Sequence, residues 1–367
     1  MSNNARTIPC DLLYRPTDPR YAENIRQYQG CPTIAVTPGG RICLGWYSGG
    51  TTEPHIENYN LLIYSDDEGR TWSAPLLVIP SSREKQIHAL DIQLWTDPRG
   101  YLHVYWVQNN AQPKPDVLPT PKPNQPQVVV DGWLFDDFVH SEWEIICENP
   151  DDENPTFSSP RCLDIGFLRC KPLVLENGTW INFNYDQTET RYGYSVSADE
   201  GRTYTRRYGA EKIATFFDEG MAYQKNDGTI RMMARSRSGE LAETCSTDNG
   251  ETWTDAKLNG ITSADTRFFL SRTPSGNVLL ITNDDPKVRR NMTISLSDDD
   301  GETWKYKRCI DERAGISYPD ADFHDGKIYL TYDRERTGAK EIFFLSFTEE
   351  DIMTPTKPLI PTIVSKP

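Results

Sequence analysis

Residues 246–253 read Ser-Thr-Asp-Asn-Gly-Glu-Thr-Trp, and this pattern, Ser-x-Asp-x-Gly-x-Thr-aromatic, occurs four times in the 367-residue chain. The other copies occupy residues 65–72, 197–204 and 297–304. In each copy we expect the Ser and Asp side chains to bond backbone N–H groups of a tight turn, and Gly to take a positive φ. An alternating apolar run such as residues 59–64 precedes the motif and suits a strand. Each motif is therefore predicted to form the turn of a β-hairpin.

The spacing of the motifs indicates a propeller. The last three copies start 49 and 51 residues apart, which is the length of a four-stranded blade. The first two start 132 residues apart, which leaves room for blades without the motif and for insertions. A proline-rich insertion at 112–127 and an acidic one at 149–160 are predicted to be loops on a propeller face. We expect one propeller domain over residues 1–367.

The composition agrees with an all-β chain. The 26 prolines, 24 glycines, 18 tyrosines and 9 tryptophans favour turns and aromatic-rich strands, and residues 349–353 are predicted to form one helical turn. A net charge of −15 argues against a nucleic acid or an anionic membrane as a partner. The eight cysteines lack the spacing of a zinc site, so no metal or other cofactor is predicted. Because the N-terminal residues lack an apolar signal segment, we expect a cytoplasmic protein, or a secreted one if a signal was removed.

Four such motifs on this period resemble the Asp boxes of the sialidase (neuraminidase) superfamily of BNR-repeat proteins, and the resemblance covers roughly residues 27–351. It implies a six-bladed β-propeller with an active site at the axis, on the face opposite the Asp boxes. It also implies a glycoside hydrolase whose substrate is a carbohydrate, an oligosaccharide in particular. In that family arginines bind a sugar carboxylate, and a neutral tyrosine, deprotonated by a glutamate, attacks the sugar.

The resemblance assigns catalytic roles to three positions. Tyr318, in Gly-Ile-Ser-Tyr-Pro-Asp, resembles the nucleophile, and Glu219, in Phe-Asp-Glu-Gly-Met, resembles its base. Glu53 lies on the loop before the first Asp box, where the family has an aspartate as the acid/base. A glutamate can transfer the same proton if its longer side chain is accommodated. His55 and Glu57 are alternatives to Glu53 on the same loop.

Four residues are predicted to bind the substrate. Arg235, which follows a strand, resembles the family's second arginine. Arg290, just before the last Asp box, resembles the third, with the neighbouring Arg289 as the alternative. Asp91 and His88 lie where the innermost strand of the second blade should approach the axis. We expect Asp91 to contact a sugar hydroxyl and His88 to act as a proton shuttle near neutral pH.

One position departs from the family pattern. Gly30, in Gln-Gly-Cys-Pro-Thr-Ile, stands where the family's first arginine opens the first blade. A hydrogen bond to a charged group is worth about 1.5–3 kcal/mol, so this loss favours a terminal acidic or unusual sugar over sialic acid itself. Arg26 is the nearest replacement in the sequence. Arg267 and Arg272 flank an apolar strand, and one of them is a further candidate for the pocket lining.

Three functions follow from these residues. The first is an exo-acting glycoside hydrolase with Tyr318 as nucleophile and Glu219 as its base. The second is a polysaccharide lyase, in which His88 or Tyr318 removes a proton from a uronic acid, because one fold hosts several chemistries. The third is a carbohydrate-binding or protein-binding propeller without catalysis. The glycine at position 30 favours this third function, and retention of the Tyr–Glu pair disfavours it.

Overall fold

The computed structural model of the protein describes residues 4–121 and 127–367, apart from the side chains of residues 136–139. In this part of the chain, antiparallel sheets follow one another in sequence order and form six blades around an axis. The prediction of an all-β, six-bladed propeller of the sialidase type is therefore confirmed. No helix within the described ranges is long and apolar enough to cross a membrane.

The strands are numbered along the chain and grouped here by blade. Blade 1 contains β1 (Leu13–Tyr14), β2 (Tyr28–Val36), β3 (Ile42–Gly49), β4 (Asn58–Ser65) and β5 (Leu77–Pro80). Blade 2 contains β6 (Ile87–Thr96), β7 (Leu102–Pro113), β8 (Gln127–Val130), β9 (Trp133–Cys147) and β10 (Arg161–Ile165). Blade 3 contains β11 (Phe167–Leu168), β12 (Leu173–Val174), β13 (Trp180–Asn182), β14 (Asn184–Tyr185), β15 (Arg191–Ser197) and β16 (Thr205–Glu211).

The remaining blades have four strands each. Blade 4 contains β17 (Met221–Gln224), β18 (Ile230–Ala234), β19 (Glu240–Ser246) and β20 (Lys257–Thr262). Blade 5 contains β21 (Phe269–Arg272), β22 (Val278–Asn283), β23 (Met292–Ser297) and β24 (Tyr306–Asp311). Blade 6 contains β25 (Ile316–His324), β26 (Lys327–Arg334), β27 (Glu341–Phe347) and β28 (Thr362–Ser365). The short helices are α1 (Asn4–Thr7), α2 (Glu349–Met353) and two 3₁₀ turns (Pro19–Tyr21 and Glu23–Ile25).

Each Asp box forms the predicted turn, and it joins the third and fourth strands of its blade. In the third box, the Ser246 hydroxyl donates to Asp248 at 2.8 Å and accepts from the Gly250 N–H at 2.9 Å. Asp248 also accepts from the Thr252 N–H at 2.8 Å, and Gly250 has a φ of +87°. Hydrogen bonds from the box threonine lower the pKa of the box aspartate to about 2 in all four copies. The turn is therefore specified by its own eight residues.

The boxes also connect neighbouring blades. The Tyr194 hydroxyl of blade 3 donates to the carbonyl oxygen of Gly250 in blade 4 at 2.5 Å, and Trp253 Nε1 donates to the same hydroxyl at 3.0 Å. Trp72 of the first box packs edge-on against Phe344 of blade 6, with 5.3 Å between ring centroids. Because each third strand ends at its box, all four boxes lie at the end of the sheets where the innermost strands finish.

The two predicted insertions are both in blade 2. Strand β7 extends to Pro113 and β8 begins at Gln127, so strands continue into the first insertion; residues 122–126 of this insertion lie outside the described residues. The second insertion, 149–160, joins β9 to β10 at the position where other blades carry an Asp box. Asp151 in it accepts from the Gly39 N–H at 2.9 Å, which fixes this loop at the box end of the propeller.

The propeller is closed by side chains between blades 1 and 6, since no described strand is shared between them. Asp320 on β25 is fully buried, and its carboxylate accepts from the Thr33 hydroxyl at 2.7 Å and the Ile34 N–H at 2.9 Å, both in blade 1. It also pairs with Arg267 at 2.9 Å and with Lys171 at 3.4 Å. One carboxylate therefore connects four blades at the axis.

Candidate functional site

Four residues near the axis have a backbone conformation that is unusual outside glycine. Cys31, Asp91 and Tyr318 have φ of +55° and Glu219 has φ of +41°. The first three lie at irregularities where the innermost strand shifts register against its neighbour. Strained conformations of this kind are concentrated at functional sites, because they aim a side chain where a regular strand would not.

A pocket of about 330 Å³ lies among these residues, where innermost strands begin and second strands end. This is the end of the sheets opposite the Asp boxes, as the resemblance implied. Every blade contributes to its lining, and one contributor from each blade in order is Glu53, Asp91, Tyr185, Glu219, Arg289 and Tyr318.

Tyr318, Glu219 and Arg235 lie together in the pocket. The Tyr318 hydroxyl lies 3.4 Å from Arg235 Nη1, which in turn lies 2.9 Å from Glu219 Oε2. Burial raises the pKa of Glu219, but Arg235 and Arg169 outweigh burial and hold it below its usual value. Burial and the Glu219 charge raise the pKa of Tyr318 above its usual range. The pair therefore consists of a neutral phenol beside a carboxylate that can accept its proton.

Glu53 and Asp91 face each other in the same pocket. Glu53 Oε2 accepts from the Tyr28 hydroxyl at 2.6 Å and from Arg336 Nη1 at 3.2 Å, and both contacts stabilise the carboxylate. Burial raises the pKa of Asp91 to about 6, against the opposing effect of Arg169, and the nearby Glu53 adds to the rise. Asp91 therefore holds a proton in mildly acidic solution.

Cys31 lies beside these two acids and was not singled out by the sequence. Its sulfur and one carboxylate oxygen from each of Glu53 and Asp91 lie within 4.8 Å of one another. These are atom types that could ligate a metal ion. Arg336 and Arg169 already supply positive charge there, at 3.2 Å from Glu53 and 3.6 Å from Asp91. The cluster is therefore balanced by the protein's own cations.

Arg336 is a charged pocket residue that sequence reasoning missed. Its Cζ lies 4.1 Å from the centre of the Tyr318 ring, its Nε bonds Asp333 at 3.0 Å, and its buried Nη2 has no partner within the described chain. A Cβ at Gly30 would lie 2.6 Å from Arg336 Cγ and 2.7 Å from its Cδ. The glycine at the family's arginine position thus provides the space in which an arginine from blade 6 lies.

Of the other arginines predicted near the pocket, some line it and some lie outside it, and these are not the ones that we expected. Arg289 lines the pocket, with its Cζ 5.7 Å from the Tyr318 ring centre, whereas Arg290 is half-exposed and pairs with Asp285 at 2.7 Å outside it. The prediction of Arg290 as a substrate-binding residue is thus corrected to its neighbour, because adjacent residues of this loop point in different directions. Arg26 lies outside this pocket, bonded to Ser365.

Neither of the two flanking arginines lines the pocket. Arg267 is fully buried and pairs with Asp320 at the axis. Arg272 pairs with Asp300 of the last Asp box. The expectation that one of them faces the pocket is therefore wrong, and both support the fold instead.

The histidines are also placed by the structure. His88 lines the pocket, with its Nε2 2.6 Å from the Tyr47 hydroxyl. Burial, with His55 and His140 nearby, lowers the pKa of His88 to about 3, so this environment does not favour a proton shuttle near neutral pH. His55 and Glu57 face away from the pocket and bond Asp131 and Arg83, which leaves Glu53 as the loop acid that faces it.

Comparisons with known proteins agree with the fold. The family described as BNR repeat-like domain matches residues 139–330, just over half of the chain, and the BNR/Asp-box repeat matches residues 63–74. The chain therefore belongs to the BNR repeat-like family, within the sialidase superfamily. Among curated proteins, the anhydrosialidase of Macrobdella decora is 28% identical over 170 residues, which are 41% of this chain and 22% of that protein.

Solved sialidase structures share the propeller. The NanB sialidase of Streptococcus pneumoniae, as a K499G mutant, superimposes with a TM-score of 0.69 at 17% identity, covering 94% of this chain and 71% of that one. The leech intramolecular trans-sialidase complexed with 2,7-anhydro-Neu5Ac gives 0.69 at 15% identity, with the same coverage. The intramolecular trans-sialidase of Ruminococcus gnavus gives 0.66 at 16%, covering 94% and 98%. At these identities the similarity to the solved structures shows the shared propeller fold.

Proposed function

We propose that this protein is an exo-acting glycoside hydrolase that removes a terminal sugar carrying a carboxylate. The observation that carries the proposal is that Arg235 contacts both Tyr318 and Glu219 in the pocket, with Arg289 and Arg336 beside the tyrosine ring. A carboxylate nucleophile would be repelled by an acidic sugar, whereas a neutral tyrosine is not. Guanidinium groups bind a carboxylate through charged, often bidentate, hydrogen bonds.

In the first step of the proposed reaction, the Tyr318 oxygen attacks the anomeric carbon while its proton passes to Glu219. The bond from that carbon to the leaving oxygen breaks, and the leaving oxygen takes a proton from the Glu53–Asp91 pair. The product of this step is a sugar covalently attached to Tyr318. In the second step, Glu53 takes a proton from a water molecule that attacks the same carbon, and Tyr318 leaves with the proton held by Glu219.

The arginine contacts lead to a first prediction. Arg336→Gln should lower kcat/KM for an acidic sugar about 10- to 100-fold, since a hydrogen bond to a charged group is worth about 1.5–3 kcal/mol. Arg290→Gln is the matched control, because that side chain pairs with Asp285 outside the pocket, and it should leave kcat/KM unchanged. Initial rates with a series of substrate concentrations measure both. Equal loss in the two variants would argue against Arg336 as a carboxylate ligand.

The carboxyl pair leads to a second prediction, on pH dependence. Because burial raises the pKa of Asp91 to about 6, Asp91 loses its proton above that pH. The value of kcat/KM for an oligosaccharide should therefore fall as pH rises beyond about 6. Asp91→Asn should change the pH at which this fall occurs. An aryl glycoside with a good leaving group needs little protonation, so its rate should change less. If kcat/KM fell in the same way at high pH for both substrates, the carboxyl pair would not be the proton donor.

The proposal is tested by a panel of aryl glycosides, including a sialoside and uronides, with mass analysis of each product. Hydrolysis gives the free sugar. The names of two relatives favour a second candidate, intramolecular transfer, in which a hydroxyl of the sugar replaces water. That product would be one water lighter, without the ultraviolet absorbance of the double bond that a polysaccharide lyase creates. No product from any substrate, with glycan binding retained, would favour a carbohydrate-binding propeller instead.

A further inference from the structure

A second pocket, of about 360 Å³, lies on the other side of the loop that carries Glu53. Glu53 and Pro54 line the first pocket, whereas Gly50, His55 and Glu57 line the second. The loop, residues 50–57, joins β3 to β4 and forms the wall between the two pockets. The two pockets therefore lie on either side of the same loop.

Two buried polar groups of the second pocket have no hydrogen-bond partner within the described residues. These are the Tyr59 hydroxyl and Arg26 Nε, on side chains that are 3% and 6% exposed. Leaving a buried donor or acceptor unpaired is costly, and native proteins pair nearly all such groups. The second pocket therefore has a hydroxyl and a guanidinium N–H that remain available to a ligand.

The charge of this pocket points to an anionic group. The Arg26 guanidinium bonds the Ser365 hydroxyl and the Tyr21 carbonyl, each at 3.2 Å, and forms no ion pair with a carboxylate in the described chain. The carboxylates of the lining already have partners: Glu57 bonds Arg83, and Asp131 bonds His55. The positive charge at the bottom of the pocket is therefore the one left without a counter-ion.

Resting on the proposed hydrolase, we propose that the second pocket binds the sugar unit on the leaving-group side of the cleaved bond, and that this unit carries a carboxylate or a sulfate that pairs with Arg26. The acid/base must lie beside the oxygen that it protonates, so the leaving group passes Glu53 and crosses the loop into this pocket. Tyr21 and Tyr59 form an edge-to-face pair, 5.0 Å between centroids, that gives the sugar ring an aromatic wall.

Tyr59→Phe tests the proposal without disturbing the fold. It removes a hydroxyl that bonds nothing in the described protein, so the melting temperature should stay the same or rise. For an oligosaccharide with an anionic second sugar, kcat/KM should fall about 2- to 10-fold, mainly through KM. For an aryl glycoside of the same terminal sugar, it should not change. Tyr64→Phe, on the same strand but outside this pocket, is the control and should affect neither substrate.

A second variant addresses charge. Arg26→Gln should remove the preference for an anionic over a neutral second sugar, which in the wild type is expected to be about 10-fold or more. If Arg26→Gln does not fold, the Tyr59→Phe comparison decides alone. The proposal is overturned if Tyr59→Phe affects both substrates equally or neither, or if the wild type shows no preference for the anionic second sugar.

Direct binding separates this proposal from the proposed function. If the wild type hydrolyses no substrate, it is titrated with two acidic disaccharides, one that carries a uronic acid and one that carries a sulfate. These titrations measure binding to the second pocket by itself. Weaker binding by Tyr59→Phe than by Tyr64→Phe would support the pocket although the hydrolase had failed. Equal binding by both variants would overturn the pocket as well.

Discussion

Replacing Tyr318 by Phe is expected to lower kcat by about 10³-fold or more, because removing the nucleophile of a covalent mechanism abolishes the route through the intermediate. The phenylalanine ring keeps the stacking contact with Arg336, 4.1 Å from ring centre to Cζ. Glu219 keeps its ion pair with Arg235 at 2.9 Å. The fold should therefore survive, and the loss should lie in catalysis.

Initial rates on the substrate that the glycoside panel identifies measure this effect. Tyr208→Phe is the control, because Tyr208 is 43% exposed on β16 and should keep full activity. Glu219→Gln should lose activity on a similar scale, since it cannot take the phenol proton. If Tyr318→Phe kept more than about a tenth of wild-type kcat, the tyrosine would not be the nucleophile.

The largest effect on stability is expected at Asp320, where Asp320→Asn should lower the free energy of unfolding by about 3–5 kcal/mol. The change leaves the fully buried Arg267 and the partly buried Lys171 without their counter-ion. Burial by itself raises the pKa of Asp320, but Lys171 and Arg267 outweigh burial and hold the pKa below its usual range. These contacts therefore favour the charged carboxylate that the substitution removes.

Denaturant unfolding and the melting temperature measure this loss. Asp325→Asn is the matched control, because Asp325 is exposed in the turn that follows the same strand and already has a positive φ of 47°, which asparagine tolerates well. The control should change stability by less than about 0.5 kcal/mol. A similarly small effect of Asp320→Asn would show that closure between blades 1 and 6 does not depend on this carboxylate.

The Asp boxes were predictable because their structure is local. Hydrogen bonds among Ser, Asp, Gly and Thr lie within eight consecutive residues, so the sequence pattern is enough to predict the turn. Their period gave the blade repeat, and the six-bladed count came from the family resemblance. The helical turn Glu349–Met353 was also predicted, and its Thr348 cap explains where it begins.

The site was predicted in part. Tyr318, Glu219 and Arg235 come from blades 4 and 6, and their meeting was expected through the ordered resemblance alone. Whether Arg289 or Arg290 faces the pocket depends on the direction of one loop residue, which spacing does not encode. The burial that lowers the pKa of His88 to about 3 depends on neighbours such as Tyr47, which is far away in the sequence. These neighbours come together only when the blades assemble, so the sequence pattern does not reveal them.

Gly30 and Arg336 have a consequence for how this chain can have evolved. A Cβ at position 30 would lie 2.6 Å from Arg336 Cγ, so the present placement of the Arg336 side chain requires a glycine at position 30. Once both are present, neither position can revert alone: a side chain at 30 collides, and loss of Arg336 leaves Asp333 buried without this ion pair. The two residues therefore depend on each other, and together they keep the positive charge of Arg336 on blade 6.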